Sequence, residues 1–396
     1  MMRTGGRLAA WGICAFVAAI MWNAAAWGRA RHPHVSATAE DRPALSQPYV
    51  AACVMEPVSG TVIFDHDMHK PWPPASMTKM MLMLIVAQKL HDGSLRLDDR
   101  IPTSEYAARM GGSQVYLKPG ETFSLDDMMK AVVVHSANDA TVAVAEYIAG
   151  SAAAFVQIMN EQARKLGMHD THYYSVHGLP PGPGQQPDIT SAYDSALLAR
   201  ELVKYPDVLR WSSIDSTGFR NNTFVLRNTN HLIRTYAGCD GLKTGFYDRA
   251  GFNVTATARR NGLRLIAVVM GSPSKRANFD AAASLLSQGF FNYYNYAVGT
   301  KGAPVKQVVA VSGGTVGELR PVWGQDLSVF LKHGDEKQGF TLSYDLPASV
   351  SAPIKAGQQV GTGRVVIDGR TVASAPLIAP AAVARGSLWQ RFASRL

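Results

Sequence analysis

Cysteine is scarce, with three residues in 396, at positions 14, 53 and 239. A disulfide-stapled scaffold needs a dense framework of pairs, so that class is excluded. Metal-binding spacings are missing too. There is no H-E-x-x-H and no paired Cys/His pattern, so a metallopeptidase is unsupported and neither metal nor cofactor is expected. Clusters of one charge sign are also missing. Lys and Arg number 39 against 30 Asp and Glu, a formal net charge of +9, but they are scattered. No nucleic-acid stripe forms, and a diffuse cationic surface suits an anionic membrane or an acidic polymer. Apolar residues make up 47% and charged residues 17%, which excludes a disordered chain and a polytopic membrane protein. The length exceeds what one core usually organises, so two domains are expected.

The N-terminus has a processing pattern. Arg3 and Arg7 precede an apolar run from Leu8 to Trp22, followed by Ala24-Ala25-Ala26. A basic start, a short apolar run and small residues describe a signal peptide over residues 1–26, cleaved after Ala26. An uncleaved membrane anchor is the competing reading, and the run is short for a span. Cys14 lies inside the run, too early for lipid attachment. Residues 27–46 mix Pro, Ser, Ala and charge without a period, as a linker does. Whether Cys53 and Cys239 pair is open.

Beyond the linker, "YVAACVMEPVSGTVIFDHD" alternates as a hairpin turning at Pro57–Gly60. "SLDDMMKAVVV" starts with a capping-box-like Ser124, and "AAAFVQIMNEQARKLG" and "SAYDSALLARELVKY" have helical spacing. "GFNVTATARRNGLRLIAVVMG" is a hairpin across Asn261-Gly262. After about residue 298 helical periodicity fades, and residues 302–378 read as a small all-β domain following a first domain over 47–298. Within it "GRVVIDGRTVASAPL" is expected to turn at Asp368-Gly369, and "VFLKHGDEKQGFTLSY" to form another hairpin. Over 381–396, Leu388, Trp389, Phe392 and Leu396 would share one helical face beside Arg385, Arg391 and Arg395. That pattern fits an amphipathic helix lying on a membrane surface, with a frayed terminus as the alternative.

Three short stretches carry chemistry. In "PPASMTKMMLMLIVAQKL", Ser76 and Lys79 are one helical turn apart. A serine hydroxyl needs a neighbouring base to act as a nucleophile, and a lysine becomes one if burial or a second cation lowers its pKa. A capping serine beside a solvent-reaching lysine would give the same spacing. In "HSANDA", Ser136 and Asn138 sit between two helices, where a hydroxyl can relay a proton and a carboxamide can hold an amide. An ordinary Asn cap explains that stretch equally well. In "CDGLKTGFYDRAGFN", Lys243, Thr244 and Gly245 head a strand. There they could bind a carboxylate, with Gly245 letting an extended ligand approach the backbone. A protected edge strand is the alternative.

Together, and in this order, the stretches resemble the S-x-x-K, S-x-N and K-T-G set of penicillin-binding serine enzymes. The closest resemblance is to the D-alanyl-D-alanine carboxypeptidases among the low-molecular-mass penicillin-binding proteins. It runs from "ASMTKMM" through "LKPGETFSLDDMMKAVVVHSANDA", "VHGL" and "DGLKTG" to "AGFNVTATA", and on into the C-terminal β-rich part. The resemblance implies an α/β, multi-domain fold: a β-lactamase/transpeptidase-like domain with a five-stranded antiparallel sheet against helices, plus the small all-β domain. It implies acylation of Ser76 by the penultimate D-Ala of a peptidoglycan pentapeptide, with β-lactams as covalent inhibitors. Lys79 would be general base, and Ser136 and Asn138 would shuttle the proton and hold the peptide. Lys243 and Thr244 would bind the terminal carboxylate, and the N–H groups of Ser76 and Phe246 would form the oxyanion hole. His177 and Gly178 match the family's H-G-L loop. Tyr247, where Thr is common, and Ala137, often Gly, depart from the pattern. The implied location is periplasmic, peripheral on the outer face of the cytoplasmic membrane.

A β-lactamase shares the nucleophile and K-T-G elements, but no E-x-x-L-N-like stretch lies between Ser136 and Lys243. A non-catalytic cell-wall scaffold would need none of Ser76, Lys79 and Lys243.

Overall fold

The computed structural model describes residues 48–335, 339–367 and 369–387. The expected signal peptide and linker, the Asp368 turn position, and residues 388–396 of the expected terminal helix lie outside the described residues.

The first hairpin forms as read, from β1 (Ala51–Met55) and β2 (Val62–His66). Three later strands complete a sheet: β3 (Cys239–Tyr247), β4 (Gly251–Arg260) and β5 (Leu263–Ser272). Asn261 and Gly262, both at positive φ, make the tight β4–β5 turn that Asn-Gly favours. The order is β2-β1-β5-β4-β3 and every pairing is antiparallel. β3 is therefore an edge. The central strands are near-continuous apolar runs because helices cover both faces.

α1 (Lys79–His91) is apolar on all sides, and every residue from Lys79 to Ala87 is buried. Such a helix is stable only when surrounded. α2 (Leu125–Val134), α3 (Asn138–Ala149), α4 (Ala152–Lys165), α5 (Ala192–Leu202) and α6 (Pro206–Ser212) enclose it. α7 (Lys275–Asn292) covers the opposite sheet face. Serine hydroxyls start four of these helices. Ser124, Ser151, Ser191 and Ser274 each accept the N–H three residues on.

β6 (Tyr293–Gly299) leads from α7 into a β region with its own apolar clusters. β6 pairs with β7 (Leu327–Lys332). β8 (Thr341–Asp345), β9 (Gln359–Ile367) and β10 (Arg370–Ile378) join a second sheet, and the β9–β10 hairpin forms as expected. The expected hairpin over "VFLKHGDEKQGFTLSY" does not form, because β7 and β8 pair in different sheets. Aromatic contacts explain the choice. Tyr293 stacks on Phe330 and Tyr294 on His333, which holds β7 to β6 and leaves β8 to β9.

Two further expectations are corrected or closed. Residues 381–387 are not helical: Val383 bridges Ile354 and Arg385 bridges Gly314, so this stretch is a β-region strap. Cys53 and Cys239 are both free. They lie on β1 and β3, three strand spacings apart and offset along the strands, so at least ~14 Å separates them, well beyond disulfide reach.

Candidate active site

Pro74, already at helical angles, caps a 3-10 turn, Ala75–Thr78, that runs directly into α1. This turn carries Ser76. It is pinned from the sheet: Asn253 Nδ2 donates to the Pro73 carbonyl at 2.9 Å, while Asn253 Oδ1 accepts from Gly271 N at 2.7 Å. Lys79 is completely buried, and its Nζ donates to Ser76 Oγ and to the His177 carbonyl, each at 2.8 Å. Burial holds the Lys79 pKa well below the ordinary lysine value, the Lys243 ammonium adds to this, and Asp188 opposes it. Lys243 is buried as well, and burial pushes it down to about 7. The alternative of a solvent-reaching lysine is ruled out, and the pair has the geometry of a hydroxyl beside an amine whose basicity burial has weakened.

His177 is not itself a base. Burial, then Lys79, lowers its pKa to about 4, and its Nδ1 accepts from Leu179 N at 3.1 Å. What this loop supplies is a carbonyl. Gly178, at φ +75°, packs so tightly that an added Cβ would lie 1.9 Å from the Ala75 carbonyl oxygen.

Ser136 occupies the short break between α2 and α3, while Asn138, expected on the same turn, is the first residue of α3. Ser136 has φ +65°. Its Oγ and Asn138 Oδ1 are buried with no hydrogen-bond partner, so two polar atoms wait at the site. Asn138 Nδ2 donates to Gly111 O at 2.7 Å and its N–H to Ser113 O at 2.7 Å. The next residue, Asp139, accepts from Val115 N and Leu117 N and so fixes the loop that carries Ser113.

Lys243, Thr244 and Gly245 lie in the middle of β3 rather than at its head, which corrects the expected position. Lys243 Nζ donates to the Thr244 carbonyl at 3.1 Å and Thr244 Oγ1 to Thr229 Oγ1 at 2.7 Å. The reason for Gly245 also differs from the expected one. An added Cβ would meet the Pro74 carbonyl oxygen at 2.2 Å, so the glycine lets β3 close onto the nucleophile turn. Phe246, 52% exposed, stacks on Phe252 at 4.2 Å.

Ser76, Ser136, Thr244, Gly245 and Phe246 line one cleft of about 280 Å³. Both lysines touch it from within the fold, through Ser76 Oγ and the Thr244 carbonyl. A larger cavity of about 600 Å³ lies between the β1–β2 turn and the C-terminal β region, and none of the three motif stretches lines it. Sequence reasoning missed Asp188, Thr229, Asn253 and Ser113. Asp188, Thr229 and Ser113 are single polar residues in loops without a motif to mark them, and Asn253 lies in the quoted "AGFNVTATA" stretch but was given no role.

Residues 38–274 match the D-alanyl-D-alanine carboxypeptidase family of peptidases, and residues 293–385 match the C-terminal domain of penicillin-binding protein 5. The chain belongs to the D-alanyl-D-alanine carboxypeptidase family. It is 34% identical over 332 residues to the D-alanyl-D-alanine carboxypeptidase DacF of Bacillus subtilis, covering 83% of this chain and 84% of that one. Penicillin-binding protein 5 from Haemophilus influenzae superposes with a TM-score of 0.65 at 28% identity, over 85% of this chain and 98% of that one. Penicillin-binding protein D2 from Listeria monocytogenes, solved in an ampicillin-bound form, superposes with a TM-score of 0.57 at 29% identity, over 63% of this chain and all of that one. The enzyme is thus a hydrolase with the two-part fold that the resemblance implied. Tyr247 closes β3 opposite Gly251, and Ala137 is the N-cap of α3.

Proposed function

We propose that this enzyme removes the terminal D-alanine from peptidoglycan pentapeptide stems through an acyl-enzyme on Ser76. The observation that carries the reading is the 2.8 Å contact between Ser76 Oγ and a fully buried, pKa-depressed Lys79. Neutral Lys79 takes the serine proton as Oγ attacks the carbonyl of the penultimate residue. Ser136 and Asn138, with their waiting oxygens, pass the proton to the leaving amine and hold the peptide. Lys243 and Thr244 bind the terminal carboxylate, and the N–H groups of Ser76 and Phe246 receive the oxyanion. Water then hydrolyses the ester. A β-lactam enters the same way but has no departing amine, so its ester persists.

The family's carboxypeptidase character and the ampicillin-bound relative support this reading. The basic, apolar N-terminus supports export to the periplasm. The apolar and arginine pattern after residue 387 supports docking on the outer face of the cytoplasmic membrane.

The test is Ser76→Ala. It removes only a hydroxyl, so the fold should survive while fluorescent-penicillin labelling and D-Ala release both vanish. Wild-type label should be lost slowly. Rapid loss indicates a β-lactamase, and a wild-type protein that never labels indicates a non-catalytic scaffold.

A further inference from the structure

Asp188 lies in the long connection between α4 and α5, in "LPPGPGQQPDIT". It is only 6% exposed, and its carboxylate collects four hydrogen bonds. The donors are Thr78 Oγ1 at 2.9 Å, Tyr174 N at 2.6 Å, and Ser175 N and Oγ at 2.8 Å each. They belong to the two segments that bracket Lys79. Thr78 sits between Ser76 and Lys79 in the nucleophile turn. Tyr174 and Ser175 open the loop whose His177 carbonyl accepts from Lys79. Ser175 Oγ also accepts from Gly178 N at 2.9 Å, and Gly178 packs on Ala75 at the start of the turn. One carboxylate thereby ties both ends of the frame that aims the Lys79 amine at Ser76. Burial raises the Asp188 pKa, so keeping an ion there costs folding free energy, which a staple made only of neutral groups would not.

We propose that Asp188 is a positioning residue for the acylation step, locking the nucleophile turn to the 174–178 loop and tuning the basicity of Lys79 through its charge. This rests on the reading of Ser76 and Lys79 as nucleophile and base. The charged groups acting on Lys79 come from two sides. Lys243 on β3 favours the neutral amine, and Asp188 favours the ammonium. His177 is neutral near pH 7 and contributes its carbonyl. With Asp188 neutralised, Lys243 is unopposed and Lys79 becomes a base at lower pH.

The experiment is the pH profile of the second-order acylation rate with a fluorescent penicillin, on the full-length protein, from about pH 5 to about pH 9. Asp188→Asn should lower the maximal rate and move the acid limb down by roughly half to one unit. Thr78→Val keeps the charge but loses one tie, so its rate should fall about tenfold with the limb unmoved, since small misplacements at a reacting centre are costly. Thr78→Ser keeps the hydroxyl and should restore the rate. If Asp188→Asn fails to fold, the Val and Ser variants at Thr78 still decide the positioning role. An Asp188→Asn limb that superposes on wild type, or a Thr78→Val protein as fast as wild type, overturns the proposal. A wild-type protein that is never acylated overturns instead the reading on which it rests.

Discussion

Lys243 is buried beside a second lysine, and the fold bears the consequence. With its pKa near 7 when folded and about 10.4 when unfolded, the unfolded chain binds more protons between those values. Stability from this group therefore rises as pH climbs from 7 towards 10, and the penalty is full below 7. Lys243→Met should raise the melting temperature at pH 7 while abolishing activity, by an amount equivalent to a few kcal/mol at most. The gain should shrink towards pH 10 in paired thermal melts, and a gain that is independent of pH would refute the electrostatic cause. Seven of the eight expected site residues could be singled out because each belongs to a short, ordered motif, and Phe246 because it follows one. Asp188 could not. A carboxylate in a loop of Pro, Gly and Gln has no periodicity and no neighbour in sequence that announces its partners, which lie 110 positions back at Thr78 and 13 to 14 back at Ser175 and Tyr174.

At the scale of elements, local signals were readable where they were self-sufficient. Asn261-Gly262 specifies its hairpin, and Ser124 starts its helix by its own hydrogen bond to Asp127 N. They failed where pairing is a competition. β7 and β8 look like a hairpin alone, but β6 brings aromatic partners from outside the stretch. The role of Gly245 was likewise hidden, because the atom it makes room for belongs to Pro74. The loop at Gly178 is equally unforgiving. Gly178→Ala places a methyl 1.9 Å from the Ala75 carbonyl at a positive φ, so the loop must retreat from the nucleophile turn and carry the His177 carbonyl with it. The expected result is a loss of penicillin acylation of about a hundredfold, with far less effect on the melting temperature than an α1 core cut such as Leu82→Ala, which should cost ~3 kcal/mol. Stopped-flow acylation alongside thermal melts would show whether the two effects separate this way.

The whole molecule divides its tasks along the chain. Among the described residues, the cleft is built entirely from positions before α7 ends, and the β region beyond contributes none. The strap at 381–387 belongs to that β region, through Val383 and Arg385, so a truncation meant to test membrane docking has to stop after Ser387. A signal-processed chain ending there should leave the membrane pellet and still hydrolyse a soluble peptide ending in D-Ala-D-Ala at the full rate. If the proposed docking holds, binding of the full chain should weaken as salt rises, since Arg391 and Arg395 would each add about 1 kcal/mol on an anionic leaflet. Truncated protein that stays in the pellet would point to the N-terminal segment as the anchor.

The order of the sheet sets a timetable. Ala51 on β1 finds its partner, Met270 on β5, about 220 positions later, a separation of the kind that makes folding slow. The nucleophile turn is translated early yet stays unsupported until β3 closes on it and Asn253 grips Pro73. A fragment that ends before β5 is therefore expected to lack a working site, since Asn253 Oδ1 holds Gly271 on that strand. Covalent capture of penicillin is then a clock for this chain: a molecule should take the label only once β1 and β5 have met.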